Sequence, residues 1–251
     1  MYTILGFILG TILGSFAKAT ADRSLDGKSF WGRSFCPSCK RNLRWNDLFP
    51  ILSYLILQAK CRYCRKKINI EYFLIEVILG LLIAYLFHLS GGIQSLPDGL
   101  ELLFKTYFIT VLAVLFLTDI KKMLIPDRII LPSLIISLIY LAIFQLVYSL
   151  VVGLGIVSFF LLLIIITRGK GMGGGDVKFG AFIGFGLGFP DGILAIMLAF
   201  LTGSLWALYL IILGKKHFGE NIPFGPFLVI GSLIALFWGN WIVDWYLKLG
   251  Y

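Results

Sequence analysis

Val151-Val152-Gly153-Leu154-Gly155-Ile156-Val157-Ser158-Phe159-Phe160-Leu161-Leu162-Leu163-Ile164-Ile165-Ile166-Thr167 contains no charged residue. As a helix, a run of this length reaches the lower limit of about 17 residues needed to cross a bilayer core. Similar runs recur outward from it. Cutting the chain at its short polar breaks predicts further spans at 2–17, 71–90, 102–118, 128–149, 177–189, 191–213 and 224–246. With 151–167 that makes eight, the Gly-rich 177–189 being the shortest. The composition agrees. Of 251 residues, 59% are hydrophobic and 14% charged, against about 45–50% and about 25% in a soluble domain. The mean hydropathy is +0.94. A disordered chain, a disulfide-stapled secreted module and an ordinary cytosolic enzyme are all excluded. An outer-membrane barrel would alternate apolar and polar residues. The expected fold is therefore an all-α polytopic membrane protein.

The charges set an orientation. There are 22 Lys and Arg against 13 Asp and Glu, a net +9. Twenty of the 22 lie in the segments 18–70, 119–128, 168–178 and 214–222, which follow the odd-numbered spans; Lys105 and Lys248 are the other two. Basic residues mark the cytoplasmic side. These segments are expected in the cytoplasm and both termini outside. The first basic residue is Lys18, so the amino terminus lacks the charged start of a signal peptide and reads as an uncleaved first span. Three regions follow: a first span at 1–17, a cytoplasmic loop at 18–70, and a membrane core at 71–251. No internal repeat is evident.

The loop holds all four cysteines. Cys36-Pro37-Ser38-Cys39 and Cys61-Arg62-Tyr63-Cys64 form a C-x2-C…C-x2-C array. Two residues between cysteines let a tight turn aim both sulfurs at one tetrahedral ion, which points to structural Zn2+ with all four coordination positions filled. Lys40, Arg41, Arg62, Arg65 and Lys66 would offset the thiolate charge. The alternative of two disulfides suits a reducing cytoplasm poorly. Arg44, Trp45, Lys60, Arg62 and Tyr63 could also serve nucleic acid, but the positive-inside rule already accounts for the charge, and no nucleic-acid partner is expected.

Two aspartates stand at span ends. Asp119 follows Val111-Leu112-Ala113-Val114-Leu115-Phe116-Leu117-Thr118. Asp176 follows Gly173-Gly174-Gly175 and precedes an apolar run. By the predicted topology both lie at the cytoplasmic face. Ionisable residues beside spans are costly and suggest function. Two carboxylates that meet in a semi-dry site can divide general base and general acid between them and hydrolyse an amide without a Ser or Cys nucleophile. The plain alternatives are a solvated helix-end carboxylate for Asp119 and a helix cap for Asp176. Three glycines tolerate unusual backbone angles and close approach of another chain. Together with Lys178 they are candidates for positioning a substrate. Asp127 is the second-choice carboxylate: it follows Pro126 at an expected helix start, with Lys121, Lys122 and Arg128 nearby. His88 and His217 read as solvated or interfacial. Gly169-x-Gly171-x-x-Gly174 matches a dinucleotide fingerprint but lacks the preceding strand that motif requires.

Taken together, these residues resemble the type IV prepilin peptidases, intramembrane aspartyl proteases with a G-x-G-D motif. The resemblance rests on Gly14-Ser15-Phe16, on the cysteine array with Arg44-Trp45 and Pro50-Ile51-Leu52-Ser53-Tyr54, and on Glu71-Tyr72 with Glu76 and Gly80. It continues through Asp119 with Ile125-Pro126-Asp127, Gly171-Met172-Gly173-Gly174-Gly175-Asp176-Val177-Lys178, and Ile222-Pro223-Phe224-Gly225-Pro226-Phe227. It implies a bacterial inner-membrane enzyme whose catalytic pair is Asp119 and Asp176. The implied substrates are type IV prepilins or pseudopilins, cut after the Gly of a basic leader, with methylation of the new amino terminus by S-adenosylmethionine to follow. The bilayer is the other partner. One stretch departs from the family. Where it usually reads Leu-Asn after Gly-Ser-Phe, this chain has Ala17-Lys18, which sets methyl transfer apart as the activity to test. A transporter using the same aspartates, or a membrane-anchored zinc-ribbon binding protein, would be the alternatives.

Overall fold

The structure is a computed structural model that describes residues 1–30, 32–144, 147–169, 172–215, 217 and 222–249. Gly171 of the glycine motif and residues 145–146 of the expected span 128–149 lie outside the described residues. The described chain is helical: α1 (Tyr2–Leu25), α2 (Leu52–Ile56), α3 (Ile70–Leu89), α4 (Leu96–Lys122), α5 (Asp127–Phe144), α6 (Val147–Ile166), α7 (Gly174–Leu187), α8 (Asp191–Ile212) and α9 (Gly225–Leu249). Seven of these, all but α2 and α7, are long and apolar enough to cross a membrane. The expected span at 177–189 corresponds to α7, whose 14 residues rise only about 21 Å against a core of about 30 Å. The protein is a polytopic membrane protein, with seven candidate spans and two shorter α-helices, α2 and α7, among the described residues. It divides into two compact units, Met1–Leu117 and Thr118–Tyr251.

In the first unit, α1 and α3 pack antiparallel through glycines. A Cβ at Gly10 would lie 2.5 Å from the Leu79 carbonyl oxygen, and one at Gly14 2.7 Å from Glu76 Cα. Gly6, Gly10 and Gly14 recur every fourth residue, so one face of α1 lets the backbones meet, as small residues do in membrane helix pairs. α1 runs beyond the expected boundary at Ala17 because Lys18 is accommodated within it. Lys18 is buried, lies 2.6 Å from Asp22 and 3.4 Å from Glu71, and sits over the Tyr72 ring. The Tyr72 hydroxyl donates to Asp22. A buried cation is tolerated only when paired in this way. Glu76 accepts the Ile51 N–H at 2.7 Å, which ties the loop to α3. Asn69 caps α3 by accepting the Glu71 N–H. Arg23 donates to the carbonyls of Phe30 and Gly32 and so folds the start of the loop back.

The two cysteine turns are the same structure built twice. Cys36 N–H donates to Arg41 O, and Cys61 N–H to Lys66 O, both at 2.9 Å; Lys40 and Arg65 return bonds to Cys36 O and Cys61 O. Phe35 bridges Asn42 and Lys60 bridges Lys67. Lys40 and Arg65 both have positive φ, at 60° and 57°. This is a local repeat that the residue identities conceal, since only the cysteines match.

In the second unit, α7 packs against α5, α6, α8 and α9. Seven consecutive residues, Phe179 to Phe185, are buried, so α7 is surrounded rather than amphipathic. Close approach again depends on glycine. A Cβ at Gly184 would lie 2.7 Å from Gly153 Cα on α6, and one at Gly231 of α9 2.3 Å from the Ala195 carbonyl oxygen of α8.

Candidate active site

Asp119 lies in the last turn of α4, the part of that helix that belongs to the second unit. It is not a solvated helix end: it is 4% exposed. Its Oδ2 accepts the Gly225 N–H at 2.8 Å. Gly225 opens α9 and carries one of the amides that every helix start leaves without an intrahelical partner. Asp176 lies in the first turn of α7, outside the seven spans. The cap residue of that helix is Gly173, whose N–H donates to Asp176 Oδ2 at 3.1 Å. Each aspartate therefore has one oxygen held by a glycine amide. Neither Oδ1 has a protein hydrogen-bond partner among the described residues.

The charge of Asp119 is felt at Asp176. Burial pushes the Asp176 pKa up to about 6; the Gly173 amide opposes the rise, and the charge of Asp119 adds to it. A carboxyl that feels its neighbour's charge in this way is suited to hold a proton near neutrality.

The glycine run behaves differently from its sequence reading. Gly173 has an ordinary extended backbone, with φ −85° and ψ 154°, and Gly174 and Gly175 begin α7. Unusual backbone angles are not what they supply. A Cβ at Gly174 would meet nothing within 4 Å, and one at Gly175 would press on Ile125 at 3.2 Å. Gly174 borders open space, whereas Gly175 lets Ile125 approach closely. Lys178 donates to Asp127 Oδ1 at 2.5 Å, and both side chains are exposed. The structure thus joins the candidate positioning lysine to the second-choice carboxylate in a surface ion pair. Asp127 begins α5 directly after Pro126, as the sequence suggests.

In the first unit, all four cysteine sulfurs lie within 4.8 Å of one another, and Cys36 Sγ is 3.9 Å from Cys64 Sγ. A tetrahedral zinc with bonds of about 2.3 Å needs sulfurs about 3.8 Å apart, so the donor set fits a metal. Burial opposes the thiolate at Cys36. The amides of Cys39 and Ser38 and the neighbouring thiols outweigh it and lower the pKa to about 6. The surrounding charges have partners: Arg62 is 2.7 Å from Asp47, Arg41 lies over the Tyr63 ring and Lys40 over Phe35.

Two family models match successive parts of the chain. Residues 8–89 match the bacterial peptidase A24 N-terminal domain, and residues 106–208 match the type IV leader peptidase family. A prepilin leader peptidase/N-methyltransferase of Bacillus subtilis strain 168 is 35% identical over 250 residues, spanning 97% of each chain. The chain belongs to the type IV leader peptidase family. Further relatives of the same description include one from Aeromonas salmonicida strain A449, 33% identical over 86% of this chain and 75% of its own. Another, from Legionella pneumophila, is 33% identical over 87% and 76%. No solved structure matches this chain.

Position at the span ends and the family motifs both point to Asp119 and Asp176, while residue reasoning misses two groups. Gly225 was noted only within a motif, and its amide bond to Asp119 spans 106 residues. Lys18 was noted as a departure, and a lone Lys beside an apolar run is itself a signal of a buried ion pair.

Proposed function

We propose that this chain is a membrane aspartyl endopeptidase that removes the basic leader of type IV prepilins or pseudopilins and then methylates the new amino terminus. The observation that carries the reading is the pair of aspartates, each held through one oxygen by a glycine amide, with Asp176 poised to keep a proton. Family membership supplies the substrate class.

Asp119 is the general base and Asp176 the general acid. Asp119 takes a proton from water, the water oxygen attacks the scissile carbonyl carbon, and Asp176 gives its proton to the carbonyl oxygen. The tetrahedral diol then collapses. The C–N bond breaks, the leaving amine takes the proton from Asp119, and a diol hydroxyl returns one to Asp176. Both carboxyls end as they began. Gly173, Gly174 and Gly175 leave room for the substrate backbone, and Lys178 with Asp127 borders the entrance.

Methyl transfer would use S-adenosylmethionine as second substrate: the freed amine attacks the methyl carbon, the methyl–sulfur bond breaks with its electron pair going to sulfur, S-adenosylhomocysteine leaves, and the methylated amine loses a proton to solvent. Zinc on Cys36, Cys39, Cys61 and Cys64 is structural, with four protein ligands and no open position. The first span (1–17), the cysteine loop (18–70) and the core (71–251) form one enzyme in the bacterial inner membrane. The basic bias of the loops supports a cytoplasmic loop and cytoplasmic aspartates; with α7 crossing as an eighth span, both termini lie outside. A transporter would place its carboxylates near the midplane, whereas these lie in terminal helical turns.

The test is incubation of the purified protein in detergent with a prepilin, with and without S-adenosylmethionine. Leader loss and methyl incorporation are read separately. Cleavage by the parent and by Asp176→Ala at equal rates would remove the dyad from the mechanism.

A further inference from the structure

The amides at the start of α9 can be accounted for one by one. The N–H groups of Phe227 and Leu228 both donate to Phe224 O, at 3.0 and 3.2 Å. Pro226 has no N–H. Gly225 donates to Asp119 Oδ2 at 2.8 Å in a buried bond. Proline therefore removes the one neighbouring amide that could compete, and Asp119 receives a single donor on a single oxygen. The position also has to be glycine. A Cβ there would stand 2.6 Å from Asp119 Oδ2 and 2.8 Å from its Cγ. Phe224 anchors the turn: its ring lies 5.0 Å from Phe200 and 6.5 Å from Phe160, centre to centre. The titratable group facing Asp119 from α7 is Asp176, while α9 presents the uncharged Gly225.

The geometry points to Gly225 as a positioning residue for cleavage: its amide fixes Oδ2 of Asp119, favours the ionised over the protonated carboxyl, and leaves Oδ1 to take the proton from water. The inference rests on the proposed dyad and adds a division of labour to it. The amide bond to Asp119 crosses between helices, is short and is buried. The bond to Asp176 is a local cap within α7. A backbone donor favours the charged carboxylate at both positions; burial and the charge of Asp119 push Asp176 upward against its own donor, so Asp176 is the acid and Asp119 the base.

The test compares Gly225→Ala with the parent in detergent, following prepilin cleavage from pH 4 to 9 and thermal unfolding in parallel. The expected result is at least a tenfold fall in kcat, a KM within about threefold, and an acidic limb of the kcat profile moved to higher pH by half a unit or more. If Gly225→Ala does not fold, Phe224→Leu serves. It loosens the anchor without adding an atom beside Asp119 and should move the same limb in the same direction by less. A folded variant whose kcat falls while its acidic limb stays in place would overturn the positioning role. Asp119→Asn separates this from the reading beneath it. An active Asp119→Asn sinks the dyad itself, whereas an inactive one beside an unshifted Gly225→Ala sinks only the role of Gly225.

Discussion

The cysteine turns and the aspartate pair are built in opposite ways. Each cysteine turn closes within a few residues, repeats its hydrogen bonds in a second copy, and needs only those two local pieces to bring four sulfurs together. The aspartate site has no local unit. It takes one carboxylate from the end of α4, one from the start of α7, and an amide from the start of α9. A metal centre can be assembled from turns. Hydrolysis needs two carboxyls of unequal character, and here burial and the neighbouring charge raise Asp176 while a distant backbone amide holds Asp119. The lesson is that spacing reveals the first kind of site and conceals the second.

That contrast can be broken at its strongest point. Replacing Asp119 or Asp176 by Ala should lower prepilin cleavage about a thousandfold, within the range of acid–base contributions, while bound metal stays unchanged. Cys61→Ser should do the reverse: lose zinc by elemental analysis and render the 28–69 loop sensitive to protease, with a far smaller fall in cleavage. Equal losses of cleavage in both sets would show that the two regions act as one.

The pH profile is a subtler discriminator. Asp176 must enter the cycle protonated, and its pKa is about 6. Raising the pH above that value empties the acid, so kcat/KM should fall about tenfold per unit on the alkaline side. Because the two carboxyls interact, the measured limbs belong to the pair. Asp119→Ala cannot be profiled if inactive, but proton uptake by Asp176 followed spectroscopically in that variant should shift to lower pH, since a repelling charge is gone.

Much of this architecture was legible in the sequence. The seven candidate spans follow from uncharged runs, α5 starts where Pro126 and Asp127 place it, and the cysteines converge as their spacing requires. Three things were not. α7 looks like a short span because hydropathy does not reveal that its apolar faces are covered on every side by protein. Gly173 to Gly175 suggest backbone contortion by residue type, yet Gly174 borders empty volume and Gly175 a close contact with Ile125. The Gly225 amide has no side-chain signature at all. By contrast, the Gly6-x3-Gly10-x3-Gly14 seam on α1 was available as a small-residue pattern and went unread.

That seam gives the next prediction. Gly10→Val drives a side chain into the Leu79 and Gly80 backbone. Overpacking of this kind costs about 1–3 kcal/mol, measurable as a lower unfolding temperature in detergent. Metal content should persist, because the turns are local. The smallest effect belongs to Lys178 and Asp127. Their exposed ion pair should contribute under about 1 kcal/mol, and a double-mutant cycle on stability would measure it. A larger coupling seen in prepilin KM alone would assign the pair to substrate entry.

The shortness of α7 has a consequence for the reactant. A helix that falls about 9 Å short of the hydrocarbon thickness leaves non-helical chain at its ends, through Met172-Gly173 on one side and Gly188-Phe189-Pro190 on the other. Peptide groups there need hydrogen-bonding company that lipid cannot provide. Gly173, Gly188 and Pro190 find partners in the adjoining turns, and water that meets the remaining groups at the Asp176 end is the molecule that hydrolysis consumes. A truncated helix thereby wets the one place in the membrane where a peptide bond is to be broken.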